Sequence, residues 1–442
     1  MPPKTTRRPQ SRPVSPADSD AIEQQLRLCL SPEVVDEFRE ASGYNPRQRL
    51  ATAHRLLLSI IEAFLTGDTL SFAAVRAAFI RRFGFIRPCP LQKRFKQPEA
   101  ALFFRAIFQH LVERLLEHVG VRLTGPLAGF SDVRVYDGTA QRVPPRGRAA
   151  LPSCVPERAG TKWLIGYSLK SGMIEAGLCG AATSAELPMY RELVESFQRG
   201  ALYLLDLAYF ERQLFADVRS AGAHLLMRLK SGTRLRVVAE LTARGMQSVD
   251  GYCLEQYLAC RFAFDGTLFD LDVLWGTGSR QVPLRLVGVV HQGATRWYLT
   301  TVPRSRLRAG HVVQTYRLRW AIELLFREIK QSTDLGRSFT ADPDAIEAMT
   351  FGALIAHVLV RSLRLRAALA SEIPLERLRP LPALRMVRAY ARDLVDALLS
   401  GCHARWVAVV DELTLALVPF AYEHQPSRSR PRIALQLGAV GA

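Results

Sequence analysis

The seven cysteines are odd in number and contain no C-x-x-C pair. Neither a disulfide framework nor a cysteine-ligated zinc site is therefore suggested. Charges, Gly or Pro interrupt every apolar run before the roughly 18 residues that a bilayer span needs, so no membrane partner is expected. The opening MPPKTTRRPQSRPVSPADSD has no apolar segment of secretory type; residues 1–20 read as a disordered basic arm. There is no Walker-type glycine loop, no H-E-x-x-H, no metal-spaced histidine pair and no G-x-S-x-G elbow. Lysine is scarce as well: seven of the 59 basic residues are lysine and the rest arginine. What the chain does have is an excess of bases over its 41 acids, for a net charge of +18 over 442 residues. That balance points to a polyanionic partner, and nucleic acid fits it best.

The pattern divides the chain into six stretches. After the arm, residues 21–125 read as helices, with Asp20 and Ser31 at cap positions and Pro32 at a first helical position. Within them, the helix from Thr69 to Phe83, Gly84, and a short helix beginning at Pro90 form a candidate helix-turn-helix carrying Lys93, Arg94 and Lys96. An ordinary basic helical hairpin fits the same residues equally well. Residues 126–230 alternate strands and helices, which indicates an α/β layer with a mixed sheet. Residues 231–300 turn mostly β and suggest an inserted subdomain. Residues 301–370 return to helix, and 371–442 are expected to be a helical pair followed by a loose tail.

The chemistry concentrates on acids and one helix. DVRVY ends in Asp137 and ALYLL ends in Asp206, so both aspartates are expected at strand ends, where a sheet edge presents side chains to a crevice. A helix is expected over 311–334 (HVVQTYRLRWAIELLFREIKQSTD). At roughly 100° per residue, Tyr316, Arg319, Glu323 and Lys330 share an arc of about 60°. Leu318, Ile322, Leu325 and Ile329 fall opposite and would dock the helix. Alone, this face reads first as an ordinary solvated surface with an Arg319–Glu323 pair. Three carboxylates at strand ends and on a facing helix, however, are what hard divalent cations need for work on a phosphodiester.

The spacing Tyr316-x-x-Arg319-x-x-x-Glu323-x-x-x-x-x-x-Lys330 resembles the YREK signature of DDE transposases of the insertion sequence 4 family, as does Trp320 beside Arg319. Asp137 in Asp-Gly-Thr resembles the first acid of that family. Asp206, followed by Tyr209 and Phe210, resembles the second, although Leu207 and Ala208 stand where Arg and Gly are common. The resemblance covers roughly 130–365. It implies a ribonuclease H-like core interrupted by a mostly β insertion subdomain and flanked by helical N- and C-terminal regions. It further implies that Asp137, Asp206 and Glu323 hold two Mg²⁺, with Mn²⁺ able to substitute. Tyr316, Arg319 and Lys330 would contact phosphates. The implied activity is hydrolysis at transposon ends and transfer of the 3′-OH into target DNA, in a synaptic homodimer. The implied setting is bacterial, cytoplasmic and nucleoid-associated. Trp297 would stack on a flipped base, with a core tryptophan as the plainer reading and Trp275 as a rival. A metal-dependent nuclease without strand transfer and a catalytically silent DNA-binding derivative remain as alternatives.

Overall fold

A computed structural model describes residues 16–423 apart from 46–48, 68–70, 119–122, 195–196 and 334–335. Most of the basic arm and the tail beyond Glu423 lie outside the described residues. Six helices come first: α1 (Pro16–Cys29), α2 (Pro32–Ser42), α3 (Ala53–Leu65), α4 (Phe72–Phe83), α5 (Pro88–Phe95) and α6 (Pro98–His118). Ser31 caps α2 by accepting from the Val34 N–H. Asp20, by contrast, lies inside α1, which already starts at Pro16, a residue suited to a first turn. Helix α5 likewise starts at Pro88, two residues ahead of the expected Pro90.

The α/β part follows as β1 (Val133–Val143), β2 (Ala159–Ser168), β3 (Met173–Ala181), α7 (Glu186–Leu193), β4 (Leu202–Leu204), α8 (Arg212–Ser220) and β5 (His224–Arg228). Next come β6 (Leu235–Thr242), β7 (Gly245–Cys253), α9 (Leu254–Ala259), β8 (Leu268–Trp275), β9 (Val282–His291) and β10 (Ala294–Thr300). All ten strands form one mixed sheet in the order β3-β2-β1-β4-β5-β10-β9-β8-β6-β7. Strand β1 runs antiparallel to β2 and parallel to β4, and β4 runs parallel to β5. The β-rich stretch after 231 continues this sheet through the antiparallel β5–β10 pair. The chain closes with α10 (Ala309–Arg317), α11 (Trp320–Thr333), α12 (Pro343–Ala370), α13 (Pro380–Ala389), α14 (Ala391–Ser400) and α15 (His403–Ala421).

Alternation along the strands gives the sheet two buried faces. Val133, Val135, Leu202 and Leu204 join a core shared with α1, α3, α6, α11, α12 and α15. Tyr136, Tyr203 and Leu205 join a second core, with α7, α8 and most of β6–β9. Helix α12 corrects one expectation: its length and apolarity, with mean hydropathy 1.4, are those of a membrane span. Its apolar window is 94% buried within the protein, so it is a core helix. It packs against α1, α3 and α6 from one end of the sequence and α13 and α15 from the other.

Candidate active site

Strand parity brings the two aspartates together. Val133 pairs with Leu202 and Val135 with Leu204 in parallel register. Continued by two residues, that register sets Asp137 opposite Asp206, with both side chains on the face that Val135 and Leu204 share. Asp137 is not at the end of its strand, because β1 continues to Val143 against β2. The strand outlasts its short parallel neighbour, so the acid sits where β4 stops rather than where β1 does. Asp206 lies one residue beyond the end of β4 after Leu205 and caps a single 3₁₀ turn, accepting from the Leu207 N–H at 2.7 Å.

The expected continuous helix over 311–334 is two helices with a tightened turn between them. The N–H groups of Leu318, Arg319, Ala321 and Ile322 each bond to the carbonyl three residues back, the 3₁₀ pattern. No Pro or Gly marks the change. Tertiary contacts accompany it on both sides. Before the turn, Tyr316 is buried, donates to the Leu205 carbonyl at 3.2 Å and packs on Tyr298. Burial pushes its phenol up to about 12, so it is a neutral donor. After the turn, Leu318, Ile322, Leu325 and Ile329 are buried as expected. Glu323 sits in the first turn of α11, where a carboxylate suits the helix dipole.

Arg319, at the turn itself, joins the acids. Its guanidinium donates to Asp137 Oδ2 at 3.0 Å and to Glu323 Oε1 at 2.8 Å. Asp137 also accepts from the Gly138 N–H at 2.8 Å. Burial raises the Asp137 carboxyl to about 6, against the opposing pull of Arg319. The arrangement thus gathers Asp137, Asp206, Arg319 and Glu323, with Tyr316 one step back, holding the backbone next to Asp206. As the side chains lie, no three acid, histidine or cysteine groups among the described residues converge on a cation position; Arg319 stands between two of the acids. The donor set itself, all carboxylate oxygen, fits a hard divalent ion.

Other expected residues lie apart. Lys330 is exposed in the last turn of α11, where a cation also suits the dipole. Trp297 is half-buried, packed on Phe269 and over Gly288, while Trp275 packs on Phe210. Lys93 and Lys96 are exposed on α5, but Arg94 is half-buried and bonded to Asn45. Two features carry no signal in the sequence pattern. One is Glu328 on α11, surrounded by Arg361, Arg364 and His357 of α12. The other is Glu186, which lies against Gly138. Neither has a telling spacing; the glycine of Asp-Gly-Thr is the one hint of the second.

With this geometry in place, comparison is informative. The family described as Transposase DDE domain matches residues 128–359. The transposase for insertion sequence element IS231F of Bacillus thuringiensis subsp. israelensis is 23% identical over 378 residues, covering 77% of this chain and 79% of the relative. Transposase InsG for insertion sequence element IS4 of Escherichia coli is 26% identical over 223 residues, covering 49% of this chain and 46% of the relative. Among solved structures, a piggyBac transposase synaptic complex with hairpin DNA aligns over 94% of this chain and 88% of its own, with TM-score 0.44 and 12% identity.

Proposed function

We propose that this chain, which belongs to the Transposase DDE domain family and is a DDE transposase of the insertion sequence 4 type, cuts DNA at transposon ends and joins the freed 3′-OH to target DNA by a two-metal mechanism. The observation that carries the mechanism is the register that sets Asp137 opposite Asp206, with Glu323 tied to Asp137 through Arg319. The strand order β3-β2-β1-β4-β5, in which β1 lies between an antiparallel and a parallel neighbour, supports a ribonuclease H-like core.

Asp137, Asp206 and Glu323 would hold Mg²⁺ or Mn²⁺. Bound there, the ions supply Lewis acidity and a more acidic water at the scissile phosphodiester. The protein's part is positioning. Tyr316 pins the Leu205 carbonyl and so fixes the backbone that presents Asp206. Arg319 holds Asp137 and Glu323 toward one another, and its fork can turn to a phosphate when cations take over the carboxylates. Lys330 and the exposed lysines of α5 would meet backbone phosphates, in keeping with the +18 charge. The DNA would be the element's own ends, held by two copies of the chain.

The test is nicking and joining on a duplex carrying the element's inverted repeats, with Mg²⁺ or Mn²⁺. Replacing Asp137, Asp206 or Glu323 singly by Ala should cut nicking by about 10³-fold or more, the several kcal/mol a bound metal supplies. Retained nicking in any of the three would remove that acid from the site. Nicked ends that never become covalently linked to target DNA would reduce the activity to that of a nuclease.

A further inference from the structure

We propose that Glu186 is a fourth carboxylate of this metal site, a positioning residue that approaches the acids through the gap left by Gly138. The inference rests on the two-metal reading above and adds a residue to it.

Glu186 is the first residue of α7, which is anchored in the second core by Met189 and Tyr190. The helix therefore lies on the sheet face opposite the Asp137 side chain. Gly138 is the strand position facing α7, and a Cβ built there would fall 2.8 Å from Glu186 Oε1. Gly138 is absent from the positive-φ glycines, so backbone freedom does not explain it. Space for the carboxylate does. Lys162 approaches from the neighbouring strand, its Nζ 3.5 Å from Glu186 Oε1 and bonded to the Ser184 carbonyl at 2.8 Å. The third side is Tyr209. It is fully buried, and its hydroxyl is within hydrogen-bond reach of the Glu186 carboxylate; burial, then the charges of Glu186 and Asp137, push its phenol up.

The plainer role for Glu186 is that of an acid in a helix's first turn, favoured by the dipole. That role requires neither a bare strand position nor a buried hydroxyl beside it. Lys162 balances one of the facing charges, and repulsion from Glu186 helps raise the Asp137 carboxyl. A divalent cation held by Asp137 and Asp206 would relieve that repulsion, and Glu186 would add to the negative field that holds it, as outer carboxylates do at other metal sites.

The experiment is a Mn²⁺ titration of the full chain without DNA, with free ion followed by electron paramagnetic resonance and melting followed in parallel. Glu186→Gln should weaken Mn²⁺ binding by about tenfold or more. Gly138→Ala keeps every acid but should displace the Glu186 carboxylate, and it should weaken binding similarly. Isotherms for both variants that superimpose on wild type overturn the proposal, whatever happens to melting. Asp137→Ala separates the two layers of argument. If it abolishes binding while Glu186→Gln leaves it intact, only the Glu186 assignment fails; if it changes nothing, the metal site itself is misplaced.

Discussion

At the scale of single residues, Arg319 changes meaning most. On a helical wheel it is one cation of a polar arc; in the folded chain it bridges Asp137 and Glu323 at 3.0 and 2.8 Å. A guanidinium in that place both gathers the acids and competes with any other cation for them. Arg319→Gln is therefore expected to tighten Mn²⁺ binding several-fold in the absence of DNA, while lowering nicking of a transposon end by about 10²-fold because no guanidinium then reaches the phosphate. A weaker Mn²⁺ isotherm would mean that its gathering role outweighs the competition. The expectation for Asp206 and Glu323 rested on local patterns, an apolar strand and an amphipathic helix, whereas Asp137 lies within β1 and not after a strand. The bridge was not legible in the sequence, since Asp137 and Arg319 lie 182 residues apart and no spacing couples them. The three residues expected on phosphates also separate in space: Tyr316 faces inward to a carbonyl, and Lys330 is out in solvent.

At the scale of elements, the question is what aims Glu323. Helix α11 is held to α12 by more than its aliphatic stripe. Glu328 is bound by Arg361 at 3.1 Å and by Arg364 at 3.5 Å, and Arg361 also donates to the Tyr167 hydroxyl at 2.7 Å. Burial alone would raise the Glu328 carboxyl, but Arg361, then Arg364 and His357, bring it down from 4.5 to about 2. Burial lowers His357 from 6.5 to about 4. Both folded-state values lie below the unfolded ones, so on acidification the unfolded chain takes up protons first. The stability these groups contribute is complete above pH 6.5. It is lost through His357 as pH falls toward 4, and through Glu328 between 4.5 and 2. In melting curves from pH 8 to 3, His357→Gln should flatten the descent between 6.5 and 4 relative to wild type; an unchanged slope would remove His357 from the network. Glu328→Gln removes the carboxylate that Arg361 and Arg364 share and should cost about 3–5 kcal/mol at pH 7. The existence of α11 and its buried face was readable from periodicity, whereas its start was not. The 3₁₀ turn at Leu318–Arg319 sits between a contact to Leu205, just past β4, and one to Asp137 of β1, and no window of local sequence contains either.

At the scale of the whole molecule, the helical N-terminal region and the catalytic sheet share one core. Helices α3 and α6 pack on α12, and α12 packs on α11 and β3. The approach is close: a Cβ on Gly352 of α12 would fall 2.8 Å from Ile60 of α3. Some of the arginines are inside, since Arg285, Arg361, Arg364 and Arg366 are buried and paired with acids. Such pairing takes a cation and an anion out of solvent together, so the net +18 stays with the rest of the chain, and composition alone could not show which cations carry it. Lys93 and Lys96 are exposed on α5, whose Leu91 and Phe95 are buried and which touches α12 directly. A duplex held by these lysines would thus have a fixed relation to Asp137 and Glu323. Arg94 does not belong with them, because reversing its charge would break its bond to Asn45 and disturb the fold. Lys93→Glu with Lys96→Glu should leave melting unchanged and lower the steepness of log affinity against log salt by about two, one for each phosphate no longer neutralised. Titrations of end DNA and scrambled DNA over a range of salt distinguish what α5 reads. A larger drop in affinity for end DNA makes it part of end recognition, an equal drop makes it a phosphate clamp, and an unchanged salt slope on both places the DNA on another face of the molecule.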